Sequence, residues 1–267
     1  MVKRIVSAAV GVPVILGLIY LGRTYFLVGI MLLSLLAMVE LGRMLKRIGL
    51  QEMRTFLYTA AFFFPLILYF ETTWLPSFLV MFVLSGALIM IKGYPELRLQ
   101  DLSANFMAIL YVAFGFAHMV LLRKMEQGMI LSAYAFVVVW LTDSGSYLVG
   151  TYLGKHPFFR EISPSKTLEG AIGGVITGAV GAALFCAVLG RYLPIENVGL
   201  LVALSPVLSV AGQAGDLFES ALKRQARIKD SSRIIPGHGG ILDRFDSALW
   251  VIPLLYHILW LRANIFI

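Results

Sequence analysis

Charge is what this sequence has least of. Only 14% of its 267 residues are Asp, Glu, Lys or Arg, where a soluble domain carries about a quarter. Hydrophobic residues make up 59%, and mean hydropathy is +0.86. A soluble globule of this length would have too few polar side chains to cover itself, so that class is excluded and the chain belongs in a lipid bilayer. Cysteine is nearly absent. The single Cys186 sits in an apolar run, which rules out an intramolecular disulfide and leaves a small packing residue. The four histidines, His118, His156, His238 and His257, are scattered, so a zinc centre of the His/Cys type is excluded as well. His118 and His257 lie in apolar runs and read as packed or hydrogen-bonded between helices. No internal repeat is visible, which disfavours the inverted-repeat transporter folds.

What is present is a succession of nine apolar segments, and these predict an all-α, polytopic membrane bundle of about nine transmembrane helices. They run Ile5 to Gly22, Tyr25 to Leu45, Thr55 to Phe70, Leu75 to Ile91, Leu102 to Leu122, Ile130 to Gly150, Gly170 to Gly190, Val198 to Phe218, and Asp246 to Leu261. The first is long enough to span and lacks a small-x-small cleavage site, so it reads as a retained helix. The third is short and contains Pro65, which predicts a tilted, kinked or incomplete span. Residues 1–100 read as an N-terminal transmembrane scaffold. Residues 101–267 read as a catalytic region with two longer loops, 155–169 and 223–245.

The cations are unevenly divided. Seventeen Lys and Arg fall in alternate connections and five in the others, which predicts a cytoplasmic N-terminus, an external C-terminus and both long loops inside. The net charge of +7 therefore reflects loop bias and an anionic partner, not nucleic acid.

Carboxylates inside apolar segments are costly and default to function. Asp143 lies ~20 Å and Asp216 ~27 Å into a core of about 30 Å, both toward the cytoplasmic end. Asp216, Glu219, Ser220 and Lys223 share one helix face. Asp243 and Asp246 stand one turn apart where the last segment opens, and Asp246 is also a candidate N-cap. The alternative for Asp143 and Asp216 is a buried pair with a neighbouring Lys or Arg. Acids converging near a basic glycine-rich loop suggest Mg²⁺ carrying a polyphosphate, because Mg²⁺ takes one or two carboxylates and completes its shell with water and phosphate oxygens.

Two loops supply the anion chemistry. In Pro236-Gly237-His238-Gly239-Gly240 the glycines let backbone N–H groups approach a phosphate. Lys223, Arg224, Arg227, Lys229 and Arg233 precede this loop and Arg244 follows it, a cluster that would equally serve as an anionic-lipid anchor. In Ser163-Pro164-Ser165-Lys166-Thr167-Leu168-Glu169-Gly170, Pro164 fixes a turn, Ser165 or Thr167 caps the next helix and Glu169 suits its first turn. Only Lys166 is left over, and it could meet a phosphate.

The stretch Ser220 to Asp246 resembles the signature of the phosphatidate cytidylyltransferase family, the CDP-diacylglycerol synthases. The pattern is met at Ser220, Leu222, Lys223, Arg224, Lys229, Asp230, Ser232, Ile235, Pro236, His238, Gly239, Gly240, Ile241, Asp243, Arg244, Phe245 and Asp246. Asp143-Ser144-Gly145-Ser146 and the stretch 163–170 also look like the family, so the similarity covers the C-terminal half closely. It implies a helical enzyme of the inner (plasma) membrane whose substrates are CTP and phosphatidic acid, with the active site cytoplasmic. The phosphatidate phosphate would attack the α-phosphorus of CTP, with Mg²⁺ required; a second cation and a homodimer stay open. Carried over, Asp216, Asp243 and Asp246 are metal ligands with Asp143 behind them. Lys166, Lys223, Arg224, Lys229 and His238 bind phosphate, Arg244 supports the acids, and Ser163, Thr167, Ser220, Gly239 and Gly240 line the substrate. The rivals are a CTP-dependent kinase of polyprenol or another long-chain alcohol, and a transporter of an anionic substrate. A transporter would hold its polar groups at mid-membrane.

Overall fold

The computed structural model describes residues 2–70, 72–235, 237 and 239–265. Pro236 and His238, both in the expected anion loop, lie outside the described residues. The elements in order are α1 (Val2–Leu21), α2 (Arg23–Ile48), α3 (Arg54–Phe70), α4 (Leu75–Lys92), α5 (Leu99–Ala108), α6 (Phe114–Lys124), α7 (Gly128–Leu153), α8 (Leu168–Leu189), α9 (Ile195–Gln225), α10 (Leu242–Phe245) and α11 (Ala248–Ile265). A single π-helical turn, Ile109–Ala113, joins α5 to α6 in one rod. Among the described residues the only β pairing is two isolated bridges, Pro157 with Thr167 and Ile235 with Gly239. The expected all-α class is the observed one.

Each apolar segment of the sequence becomes a helix, because in lipid the backbone must satisfy its own hydrogen bonds. Among the described residues, six helices are long and apolar enough to cross a membrane: Thr24–Ile48, Leu75–Lys92, Leu99–Lys124, Gly128–Leu153, Leu168–Tyr192 and Asn197–Gln225. The expected count of nine spans is not reached on that measure. The Pro65 segment is one reason, since α3 has 17 residues. The last segment differs at its start. The short α10 precedes it and α11 begins at Ala248, so Asp246 stands one residue before the N-cap position instead of filling it.

The chain packs as two compact units. One contains Met1–Lys124 and Gln225–Arg244, the other Met125–Arg224 and Phe245–Ile267. This division follows a different line from a cut near residue 100, because the basic loop after α9 packs with the N-terminal helices.

In the first unit, buried polar side chains fix the α2–α3 connection. Asp101 Oδ1 accepts from the Gln51 N–H at 2.8 Å, and Asn105 Oδ1 accepts from the Met53 N–H at 2.9 Å. Asn105 Nδ2 donates to the Gln51 carbonyl at 2.8 Å. Glu52 in the same turn receives Lys46 at 2.8 Å and Arg54 at 3.0 Å, and its side chain is 2% exposed. Burial pushes its carboxyl up, but hydrogen bonds from Lys46, Arg54 and Tyr58 outweigh this and leave its pKa below the ordinary glutamate value.

In the second unit, α7 and α8 pack through small residues, as helices do where lipid gives no hydrophobic incentive to associate. A Cβ at Gly145 would collide with the Thr177 side chain, so only glycine permits this approach. Thr177 Oγ1 then donates to the Leu141 carbonyl at 3.0 Å, and Thr142 Oγ1 to Ser209 Oγ at 2.8 Å. Tyr134 OH donates to the Leu201 carbonyl at 2.6 Å. This packing carries Asp143 on α7 and Asp216 on α9.

Candidate active site

The loop between α9 and α10 is seated by a residue the sequence reading passed over. Glu40 on α2 is fully buried. Its Oε1 accepts from Ser232 Oγ at 2.6 Å and the Ile241 N–H at 3.0 Å, and its Oε2 from Ser231 Oγ at 3.0 Å and the Leu242 N–H at 2.8 Å. Four donors from the loop thus converge on one carboxylate. Such charge-assisted bonds are about twice as strong as neutral ones. Asp243 closes the loop from the other side. Its Oδ2 accepts from the Ser231 N–H at 2.8 Å, Ser231 Oγ at 2.6 Å and the Gly240 N–H at 2.8 Å. Ser231 has one hydroxyl proton, which the two carboxylates share. A Cβ on Gly240 would strike Ser231 Oγ and Glu40 Oε1, so glycine is required there for close packing and not only for turning. Glu40 had a signal: a lone acid in an apolar run, which the rule for intramembrane charges would have flagged.

A cavity of about 450 Å³ opens beside this loop, with Arg43 and Arg47 from α2 on one side and Lys229, Asp230 and Arg233 on the other. Lys229 thus lines a cavity. Arg244 is exposed on α10.

The second unit gathers the remaining expected residues. Lys166 Nζ lies 2.6 Å from Asp216 Oδ2, with side chains 28% and 34% exposed. Ser220 Oγ is 3.4 Å from Asp216 Oδ1, and one turn away Lys223 pairs with Glu219, whose side chain is fully buried. The helix face 216, 219, 220, 223 therefore exists as the spacing predicts, but with a lysine on each acid. Asp246, half-buried, accepts from the Ser247 N–H at 2.7 Å and lies within electrostatic reach of Asp216, Glu219 and Asp143. Asp143 is exposed on α7. Ser146 Oγ and Ser247 Oγ, near these acids in sequence, are buried without a hydrogen-bond partner among the described residues.

The loop before α8 is built as its residues suggest. Thr167 is the N-cap and its side chain accepts from the Gly170 N–H at 3.1 Å. Glu169 Oε2 accepts from the Lys155 and His156 N–H groups at 3.0 and 3.1 Å. Ser163 shapes the turn through its backbone carbonyl, which accepts from the Lys166 N–H. Arg224, expected at a phosphate, donates from Nε to the Ile162 carbonyl at 3.0 Å. It clasps this loop to the end of α9.

The arrangement offers acids partly neutralised by lysines in one unit, and a carboxylate-seated basic loop beside a cavity in the other. Among the described residues no three His, Cys, Asp or Glu side chains already stand together as an ion site. The cytidylyltransferase family model matches residues 2–262. The phosphatidate cytidylyltransferase of Bacillus subtilis (strain 168) is 38% identical over 268 residues, 97% of each chain. That of Staphylococcus haemolyticus (strain JCSC1435) is 36% identical over 257 residues, covering 94% of this chain and 96% of the relative. That of Staphylococcus aureus (strain COL) is 44% identical over 162 residues, 58% of each. With a match from α1 to the last turns of α11, the chain belongs to the cytidylyltransferase family.

Proposed function

We infer that this chain transfers the cytidylyl group of CTP to phosphatidic acid in a bacterial plasma membrane, giving CDP-diacylglycerol and pyrophosphate. The observation that carries the reading is family membership over nearly the whole chain. A phosphate nucleophile is already anionic, so the reaction needs no general base. It needs two anions brought together and their charge neutralised. Lys166 and Lys223 are cations held in place by Asp216 and Glu219, and can turn to phosphate oxygens without leaving a fixed site. Lys229 and the backbone N–H of Gly239 lie on a loop anchored to α2, where reorganisation during reaction is small; the Gly240 N–H is already taken by Asp243.

Magnesium fits these residues by donor chemistry. Asp143, Asp216 and Glu219 are oxygen donors whose charges act on a fourth, Asp246, and the orphaned hydroxyls of Ser146 and Ser247 add two more oxygens. Such a set suits Mg²⁺ and not zinc. When bound, the ion would offset polyphosphate charge and assist departure of pyrophosphate. Asp243 is better assigned to holding the loop. The charge bias of the connections supports a cytoplasmic N-terminus; reporter fusions after Lys124 and after Arg233 should read out on opposite sides, and two cytoplasmic signals would overturn that orientation.

CTP carrying a labelled α-phosphorus tests the reaction. Label should enter the chloroform-soluble lipid only with phosphatidic acid present, with one pyrophosphate released per lipid labelled. Label entering the lipid from γ-labelled CTP instead, with CDP released, would mean a lipid kinase. No transfer of either, with uptake into vesicles, would mean a transporter.

A further inference from the structure

Arg43 and Arg47 lie outside the signature, in the half of the chain that the sequence reading treats as scaffold. They belong to a stripe on α2. Glu40, Arg43, Met44 and Arg47 are spaced i, i+3, i+4 and i+7, one face of a helix. Its first member grips the loop at Ser231, Ser232, Ile241 and Leu242. The other three line the cavity that the loop closes. The stripe and the cavity are thus one device, held in register by a buried carboxylate.

Charge tells what the cavity is for. Arg43, Arg47, Lys229 and Arg233 face one acid, Asp230, an excess of three positive charges. Among the described residues none of the four cations takes part in an ion pair. Lys46, on the same turn of α2, shows the contrast, for it is committed to Glu52 at 2.8 Å. Four like charges brought around one concavity repel each other, and that cost is offset when an anion enters. A volume of about 450 Å³ exceeds a simple ion and falls in the range of small-molecule sites, roughly 300–1,000 Å³. Arg is suited to phosphate through its planar fork of donors.

We propose that this cavity binds the phosphate group of a substrate, with Arg43 and Arg47 of α2 and Arg233 of the loop as specificity residues beside Lys229. The proposal rests on the reading of function above for its two sources of phosphate, the nucleotide and the lipid monoester. Neutral molecules and phosphodiesters lack the dianionic group that a cluster of this charge selects.

The test uses the full chain in detergent. Thermal stabilisation is titrated with inorganic pyrophosphate, standing in for the nucleotide, and with short-chain phosphatidate, with short-chain phosphatidylglycerol as the phosphodiester control. For Arg43→Gln/Arg47→Gln, apparent affinity should fall at least about tenfold for one of the two phosphate probes, the loss of one good charge-assisted contact. KM for the matching substrate should rise likewise while kcat stays within about twofold. A rise for CTP assigns the cavity to the nucleotide, and a rise for phosphatidate assigns it to the lipid. Arg233→Gln, on the exposed loop, should weaken the same probe and covers the case in which the double variant fails to fold. Lys92→Gln, at the end of α4, should bind both probes as the parent does. Unchanged affinity and unchanged KM for both substrates would overturn the proposal. Equal stabilisation by phosphatidylglycerol would overturn it too, because the cavity would then only sense an anionic surface. Pyrophosphate and phosphatidate binding are read without turnover, so a parent protein that moved no label from CTP would sink the functional reading and leave this one standing or falling on its own titrations.

Discussion

Replacing Glu40 by alanine tests how the loop is held. The substitution removes the acceptor for two side-chain hydroxyls and for the backbone N–H groups of Ile241 and Leu242. Ser231 keeps Asp243 as a partner, so its loss is small, and Ser232 is only half-buried. The backbone groups have no such alternative. An unsatisfied buried N–H costs ~1–3 kcal/mol, so the two together cost ~2–6 kcal/mol. Loss of a buried charge gives part of that back, and the lower end, ~2 kcal/mol, is the safer figure. The loop is local, so the cost should appear as local opening before global melting. Hydrogen exchange at Ile241 and Leu242 should accelerate by about thirtyfold, from ~2 kcal/mol at tenfold per ~1.4 kcal/mol. Exchange in α7 and α8 should be unchanged. Glu40→Gln keeps the shape but turns an amide N–H₂ toward donors, so it should rescue less than half of the loss. Parental exchange rates at Ile241 and Leu242 in the alanine variant, with normal turnover, would refute the reasoning.

Asp243→Asn and Asp216→Asn should separate cleanly. The first weakens three hydrogen bonds inside the loop and should lower melting temperature without metal by several degrees. The second should melt like the parent in EDTA yet lose Mg²⁺-dependent turnover, and near-normal turnover in Asp216→Asn would remove it from the metal set. Lys166→Ala breaks a pair that is about a third exposed on each side, so solvent screening limits the stability loss to below ~1 kcal/mol. Its turnover should fall well beyond that, measured on monodisperse protein. Glu52 supplies a pH test with a fixed sign. Its pKa is lowered in the folded state, so its contribution is present above the unfolded value, near 4.5, and is lost as pH falls through the folded one. Melting curves of the parent and Glu52→Gln should differ at pH 7 and converge below about pH 4.

Helices were legible because lipid makes periodicity almost unnecessary: an uninterrupted apolar run is already a helix. The segment read as Ile130 to Gly150 is α7, and the segment read as Leu102 to Leu122 is the α5–α6 rod. The π turn within that rod left no trace in composition. The N-cap at Thr167 was legible, because a cap is decided within three residues. The lysines on Asp216 and Glu219 were half legible. Spacing put Lys223 within reach of Glu219, but Lys166 is 50 positions from Asp216, and only the fold brings them together. Glu40 itself carried a signal, as an acid in an apolar run, but what it binds did not. Its partners lie 191 to 202 positions away, and a scaffold helix read alone offers no hint of what will settle on it.

That separation has a consequence for how the protein is made. A bacterial or eukaryotic ribosome adds about 5–20 residues per second. At that pace α2 waits roughly 10–40 s between the synthesis of Glu40 and the arrival of Ser231. Through that interval a carboxylate destined for complete burial has none of the donors that make burial tolerable. The N-terminal helices can insert early, but they reach their final packing only when almost all of the chain is present. A nascent protein stalled or cleaved after α9 would carry an exposed defect at Glu40 in α2. Quality-control proteases of the membrane would have a simple mark by which to tell an unfinished chain from a finished one.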